Sequence, residues 1–191
     1  MIAHLNGRLI EKTPTHVIVE CNGVGYFVKI SLNTFSQVGD DENLKILTQL
    51  QVREDAHTLY GFMTNQERDM FNHLISVSGI GANTAIVMLS SMSPEEIASA
   101  IVSEDVATIQ SIKGIGAKTA QRVILDLKDK VVKSDLAAEN IFAQDNTTRN
   151  DALNALLALG FDKKKGQKAV EKVGIDGMTV EQIIKEALKI L

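Results

Sequence analysis

"LISVSGIGANTAIVML" (74–89) and "IQSIKGIGAKTAQRVI" (109–124) are two copies of one pattern, 35 residues apart. Ser76, Gly79, Ile80, Gly81, Ala82, Thr84 and Ala85 recur as Ser111, Gly114, Ile115, Gly116, Ala117, Thr119 and Ala120. Each copy runs from an apolar helix end, across Gly-Ile-Gly, into an Ala-rich helix start. Repetition at a fixed offset marks a duplicated structural unit. Two glycines at a helix start are conformationally costly, and two explanations compete. The turn between helices needs residues that tolerate positive φ, or the backbone N–H groups must approach an anion closely at the helix N-terminus.

Charge distribution bears on that choice. The net charge is −4, which argues against a generally adhesive polycation. Residues 63–105 hold Arg68 against six acidic residues, a balance of −5. Residues 106–133 hold Lys113, Lys118, Arg122, Lys128, Lys130 and Lys133 against Asp126 and Asp129, a balance of +4. A basic footprint inside an acidic chain points to a directed anionic partner. The plain alternative is a solvated helix face with pairs such as Asp126–Lys130 at i,i+4.

Outward from the repeat, the chain divides into segments. Residues 1–63 read as β: "IAHLNGRLIE", "THVIVEC", "GYFVKI", "LKILTQLQV" and "HTLYGF" make five short strands, with Asn22-Gly23 as a hairpin turn. Five strands in about sixty residues without helical periodicity predict a small closed barrel of the OB type. Residues 64–133 read as helical, with Thr64/Glu67 and Ser93/Glu96 as capping boxes and Pro94 at the first helical position. Residues 134–147 are polar, lack an apolar helical face and read as a flexible linker. Residues 148–191 read as a three-helix domain, with Gly160 and Gly174 as C-terminal caps, Asp162 as an N-cap and Thr179/Gln182 as a third capping box. The fold class expected is α+β and multidomain: a barrel, an all-α pair of hairpins, then a small helical domain.

Catalytic and metal chemistry find no footing. The histidines His4, His16, His57 and His73 show no ligand spacing with one another or with Cys21, the only cysteine. No metal or other cofactor is expected. Cys21 continues the alternation of Val17 and Val19 and reads as a core residue in an intracellular chain. No run approaches the eighteen apolar residues of a membrane span, and no signal peptide is evident. "GIGAKT" lacks the G-x-x-x-x-G-K-[ST] spacing of a nucleotide-phosphate loop, and no Ser/His/Asp set is readable. The chain is not expected to hydrolyse ATP.

The duplicated stretch resembles the helix-hairpin-helix motif, in which the hairpin presents backbone amides to a DNA phosphate. That resemblance implies a sequence-independent DNA contact through Gly79, Ile80, Gly81, Asn83 and Thr84 of the first copy. In the second copy the matching residues are Gly114, Ile115, Gly116, Lys118 and Thr119, with Arg122 one turn beyond Lys118. Ile80 and Ile115 are expected to anchor the hairpins, and Ala85 and Ala120 to let the helices pack closely. The first copy carries Asn83 where the second has Lys118, so it is expected to bind more weakly and mostly through backbone N–H groups.

The order of parts, together with "QVREDAHTLYGF" (51–62) and the two Gly-Ile-Gly hairpins, resembles the RuvA family over essentially the whole chain. These are DNA-binding subunits of the bacterial Holliday junction branch migration complex, acting in recombination and repair in the cytoplasm. The resemblance implies a homotetramer, or two tetramers face to face, holding a four-way junction open and flat. It implies a separate ATPase motor, RuvB, and a resolving nuclease, RuvC, as partners. Glu54 and Asp55 match the family's acidic pin near the tetramer centre, while Arg53 would contact a phosphate or pair with its neighbours. The last domain would contact the motor, with Leu156, Leu159, Phe161 and Leu188 as its candidate surface. A rival class is a nuclease or ligase accessory fragment using the same hairpins on ordinary duplex. A metal-dependent nuclease would need a carboxylate cluster beside the hairpins, and the sequence shows none there.

Overall fold

The computed structural model describes residues 1–133, 144–173 and 178–190. The chain divides into two compact units, Met1–Glu139 and Asn140–Leu191.

The first unit opens with the expected barrel. Strands β1 (His4–Lys12), β2 (His16–Cys21), β3 (Val24–Ile30), β4 (Asn43–Val52) and β5 (His57–Phe62) close in the order β1-β2-β3-β5-β4. Alternation places Val17 and Val19 inside, with Val17 opposite Val28 across the β2–β3 pair. Val28, Ile30, Leu5, Leu44, Ile46 and Leu59 complete that core. Cys21 is half-buried against it, its thiol donating to the Asn6 carbonyl at 3.4 Å. Asn22 (φ 51°) and Gly23 (φ 82°) are both left-handed, as the tight β2–β3 hairpin requires. The β3–β5 pair is parallel, so the chain must cross between them. It does so through β4 and a short helix, α1 (Leu32–Gln37), that the strand pattern does not predict. Ser31 starts α1 by accepting the Thr34 N–H at 2.9 Å.

Five helices follow in the same unit: α2 (Asn65–Ile75), α3 (Ala82–Ser91), α4 (Pro94–Val102), α5 (Val106–Gln110) and α6 (Ala117–Lys133). Their core holds Met70, Phe71, Leu74, Met88, Leu89, Ile97, Ile101, Ile109 and Leu127, all fully buried. Tyr60 and Phe62 of β5 belong to this core, their rings 5.1 and 5.0 Å from that of Phe71. The barrel and the helices are therefore one packed body, and truncating Phe71 to alanine would cost about 3–5 kcal/mol.

Polar contacts fix the same junction. Thr64 caps α2 by accepting the Glu67 N–H at 3.1 Å, but the expected reciprocal bond is absent. Glu67 instead turns into the interior, fully buried, where its carboxylate accepts from the Ser31 and Thr34 hydroxyls of the barrel, the latter at 2.6 Å. Burial pushes the Glu67 pKa up, and the two hydroxyl donors offset that shift only in part. Leu32 N–H donates to Ser90 Oγ at 3.0 Å, which ties α1 to α3 as well. The Ser93/Glu96 box on α4 is complete, with bonds of 2.8 and 3.2 Å.

The second unit contains α7 (Gln144–Ala158), α8 (Lys163–Lys172) and α9 (Val180–Leu188). Ala152, Leu156, Ala169, Val170, Val173, Ile183 and Ala187 form its core. Helix α7 begins at Gln144, inside the stretch read from sequence as linker. Backbone hydrogen bonds carry the helix through polar residues that show no apolar face. The rest of that stretch, 134–143, and the expected cap Gly174 lie outside the described residues. Gly160 (φ 93°) follows α7, the Asp162 carboxylate accepts the Lys165 N–H at 3.3 Å, and the Thr179/Gln182 box on α9 is complete. No single helix among the described residues is long and apolar enough to cross a membrane.

Candidate nucleic-acid interface

The repeated sequence folds into repeated geometry. In the first hairpin, Ile80 N–H donates to the Val77 carbonyl at 3.1 Å and Ala85 N–H to the Gly81 carbonyl at 3.0 Å. In the second, Ile115 N–H donates to Ile112 at 3.0 Å and Ala120 N–H to Gly116 at 2.9 Å. These bonds correspond one for one at the sequence offset. Ile80 and Ile115 are buried and anchor the turns, so they offer a ligand only their backbone. Ala85 and Ala120 are fully buried where the helices pack.

The two glycines of each turn do different work. Gly79 (φ 97°) and Gly114 (φ 91°) occupy the left-handed region that other residues enter only with strain. Gly81 and Gly116 do not. Gly81 is the N-cap of α3, and no side chain caps that helix, unlike α1, α2, α4, α5 and α9. A glycine here leaves the first-turn N–H groups of α3 open to an outside acceptor, at the positive end of the helix dipole. A methyl group added at Gly116 would meet nothing within 4 Å, so the space in front of α6 is open.

Cations surround both helix starts. Lys113, Lys118 and Arg122 are exposed at the second hairpin, and none is ion-paired among the described residues. Not all of the basic segment is free. Lys128 bonds Glu104, holding that carboxyl below its usual range, and Lys130 donates to Ser76 Oγ at 3.2 Å rather than pairing with Asp126. Thr84 and Thr119 are half-buried on the first turns.

The first hairpin is flanked by side chains of the barrel. Asn83 is exposed, but its Oδ1 accepts from Tyr60 Oη at 3.1 Å and lies 3.5 Å from Lys29 Nζ. Arg53 Nη2 lies 3.9 Å from where a Cβ on Gly81 would stand. The barrel thus supplies, through Lys29 on β3 and Arg53 after β4, the positive charge that the helix lacks at Asn83. Burial raises the Tyr60 pKa, with Arg53 acting against it, so the hydroxyl stays a neutral donor at neutral pH. Lys29 was not legible as a site residue, because 54 positions separate it from Asn83. Its only signal is a solvent-facing position on a strand.

The β4–β5 connection is a four-residue loop, Arg53–Ala56, closed by an Arg53 N–H to Ala56 carbonyl bond of 2.9 Å. Glu54 and Asp55 stand exposed at its tip with no counter-ion among the described residues. One loop therefore presents a cation toward the hairpin and two carboxylates to solvent. Among the described residues, no group of three or more His, Cys, Asp or Glu could hold a metal ion.

In the second unit the candidate partner surface is partly overturned. Leu156 is fully buried among Ala152, Val170 and Ile183, because a domain this small needs its large side chains for the core. Phe161 packs half-buried against the same cluster. Leu159 (62% exposed) and Leu188 (41%) remain outside it.

Comparison with known proteins accords with this geometry. The RuvA N terminal domain family matches residues 1–61, the SAM-like helix-hairpin-helix tandem residues 71–129, and the RuvA C-terminal domain residues 147–191. The Holliday junction branch migration complex subunit RuvA of Christiangramia forsetii is 58% identical over 192 residues, covering 99% of each chain. Its namesake from Flavobacterium psychrophilum is 53% identical over 191 residues, again covering 99% of each. That from Paraburkholderia phymatum is 45% identical over 192 residues, covering 100% of this chain and 98% of its own.

Proposed function

Because this chain belongs to the RuvA family, we propose that it binds four-way DNA junctions as the non-catalytic subunit of a branch migration complex. The observation that carries this reading is the pair of matching hairpins, each with an open helix start and a local set of cations. Gly81, Asn83 and Thr84 offer backbone amides at the first hairpin, with Lys29 and Arg53 as its charge. Gly116, Lys118 and Thr119 do the same at the second, with Lys118 and Arg122 as its charge. Each set holds one stretch of phosphate backbone and reads no sequence.

Assembly completes the site. Four copies arranged around a four-fold axis bring about eight pin carboxylates, from Glu54 and Asp55, toward the crossover. Like charges there oppose collapse of the strands onto one another and guide separated strands into new pairings. The arms lie flat across the hairpins, and one tetramer or two facing tetramers clasp them. The second unit recruits the RuvB ATPase through exposed apolar surface at Leu159 and Leu188, with Phe161 supporting it from the core edge. RuvC joins the same assembly to resolve the junction. These steps take place on the DNA of a bacterial cytoplasm.

The test is a matched pair of charge deletions, Lys118→Gln and Lys29→Gln, read by junction affinity over a salt series. Each is expected to weaken binding equally on unrelated arm sequences and to lower the salt slope by about 0.9 per subunit contact. A Lys29→Gln chain with unaltered slope would return the first hairpin to backbone contacts alone. Unaltered slopes in both would refute phosphate binding at the hairpins.

A further inference from the structure

We infer that helix α8 carries a second contact for the DNA backbone, in which Lys165, Lys168 and Lys172 form a cationic row that takes duplex phosphates. This inference rests on the reading that the chain binds DNA. It adds a site in a unit whose proposed role is to recruit a protein.

Residues 163–172 contain five lysines and one acidic residue, Glu171, in a chain of net charge −4. That +4 balance equals the one found over the whole of 106–133, concentrated into ten residues. Lys165, Lys168 and Lys172 follow at i, i+3 and i+7, so they share one helix face. All three are exposed, and together they line a single concavity of about 200 Å³ with Ala169 and Ile190.

None of the three ammonium groups is ion-paired among the described residues. Glu171 accepts instead from Gln167 Nε2 at 3.2 Å, and Asp162 accepts the backbone N–H of Lys165. Lysines three and four apart repel by a few tenths of a kcal/mol per pair. The first turn of α8 carries no acidic residue, and the carboxylate at the positive end of the helix is that of Asp162, the residue before it. A polyanion docked on the row relieves the repulsion between its lysines.

The lining selects among polyanions. Among the described residues no aromatic side chain borders the concavity, so none is offered for bases to stack on and the contact is with phosphate. Among the described residues the apolar floor is Ala169 and Ile190, too little for the seam that an acidic helix would need. Lys165 to Lys172 spans about 10 Å along the helix. That length matches the axial rise of about three phosphates on one strand.

The full chain with K165Q, K168Q and K172Q together tests this. Junction and duplex affinities are measured between about 50 and 200 mM salt, beside wild type and K118Q. The triple variant is expected to lose about 0.9 of slope per lysine, up to about 2.7, equally on unrelated sequences. Its thermal midpoint should match or exceed that of wild type, since like charges have been removed. If the triple variant fails to fold, K168Q alone should lose about 0.9. A folded variant with wild-type slope overturns the inference and leaves the hairpin reading standing. Wild-type slope with lost retention on polyglutamate overturns it in favour of an acidic protein. A wild-type chain without DNA affinity overturns both.

Discussion

Replacing Gly116 with alanine separates two roles that the Gly-Ile-Gly turn combines. The added methyl group has nothing within 4 Å, and the backbone at Gly116 is not left-handed. Folding therefore gains from the smaller entropy of the unfolded chain, about 0.4–1 kcal/mol. At Gly114 the added methyl group also meets open space, but φ is 91°, and alanine there costs about 1–2 kcal/mol. Binding should reverse the order of harm. A methyl group at Gly116 stands where a phosphate must approach the first turn of α6. Losing one amide bond to a charged oxygen forfeits about 1.5–3 kcal/mol, or roughly 10- to 100-fold in affinity. Both tyrosines, Tyr26 and Tyr60, lie in the barrel, so their fluorescence follows unfolding of the first unit. Denaturant unfolding by tyrosine fluorescence and junction binding by anisotropy make the paired assay. If Gly116→Ala destabilises the first unit by more than 1 kcal/mol, or binds with wild-type affinity, the close-approach argument fails.

Neutralising the pin with Glu54→Gln and Asp55→Asn should leave junction binding equal or tighter while altering branch migration; lost binding in a correctly assembled protein would contradict a repulsive role. Glu67→Gln should flatten the pH dependence of stability. The folded-state pKa of Glu67 is raised, so its contribution is full below the ordinary carboxylate value and is lost as pH rises through the raised one. Wild type should thus lose up to about 1.4 kcal/mol per pH unit relative to Glu67→Gln within that window, and parallel curves would refute it. A chain ending at Lys133 should bind junctions yet fail to stimulate the motor ATPase, and Leu159→Ser with Leu188→Ser in the full chain should reproduce the second defect. Undiminished stimulation would place motor docking elsewhere.

What the sequence made legible was local. The repeat located both hairpins because their signal, Gly-Ile-Gly before an Ala-rich start, lies within a few consecutive residues. Period-two alternation and Asn22-Gly23 located the strands for the same reason. Helix α1 was missed because six residues with a Ser31 cap carry no helical periodicity. Long-range pairing was the harder part. Thr64 and Glu67 fit a capping box by spacing, but the barrel offered Glu67 two buried hydroxyls and drew its carboxylate away. Lys29 joins the first hairpin only because its side chain reaches from β3 to Asn83 on α3, which no local pattern reports. Leu156 and Leu159 look alike in sequence, and only the packing of three helices separates core from surface.

Competition binding between a four-way junction and linear duplex of the same arm sequences tests the central claim most directly. With full-length protein at fixed salt, the junction should displace duplex of every arm sequence, and permuting the arms should leave its affinity unchanged. Equal affinity for junction and duplex would contradict the junction-binding account and favour an accessory role on ordinary duplex.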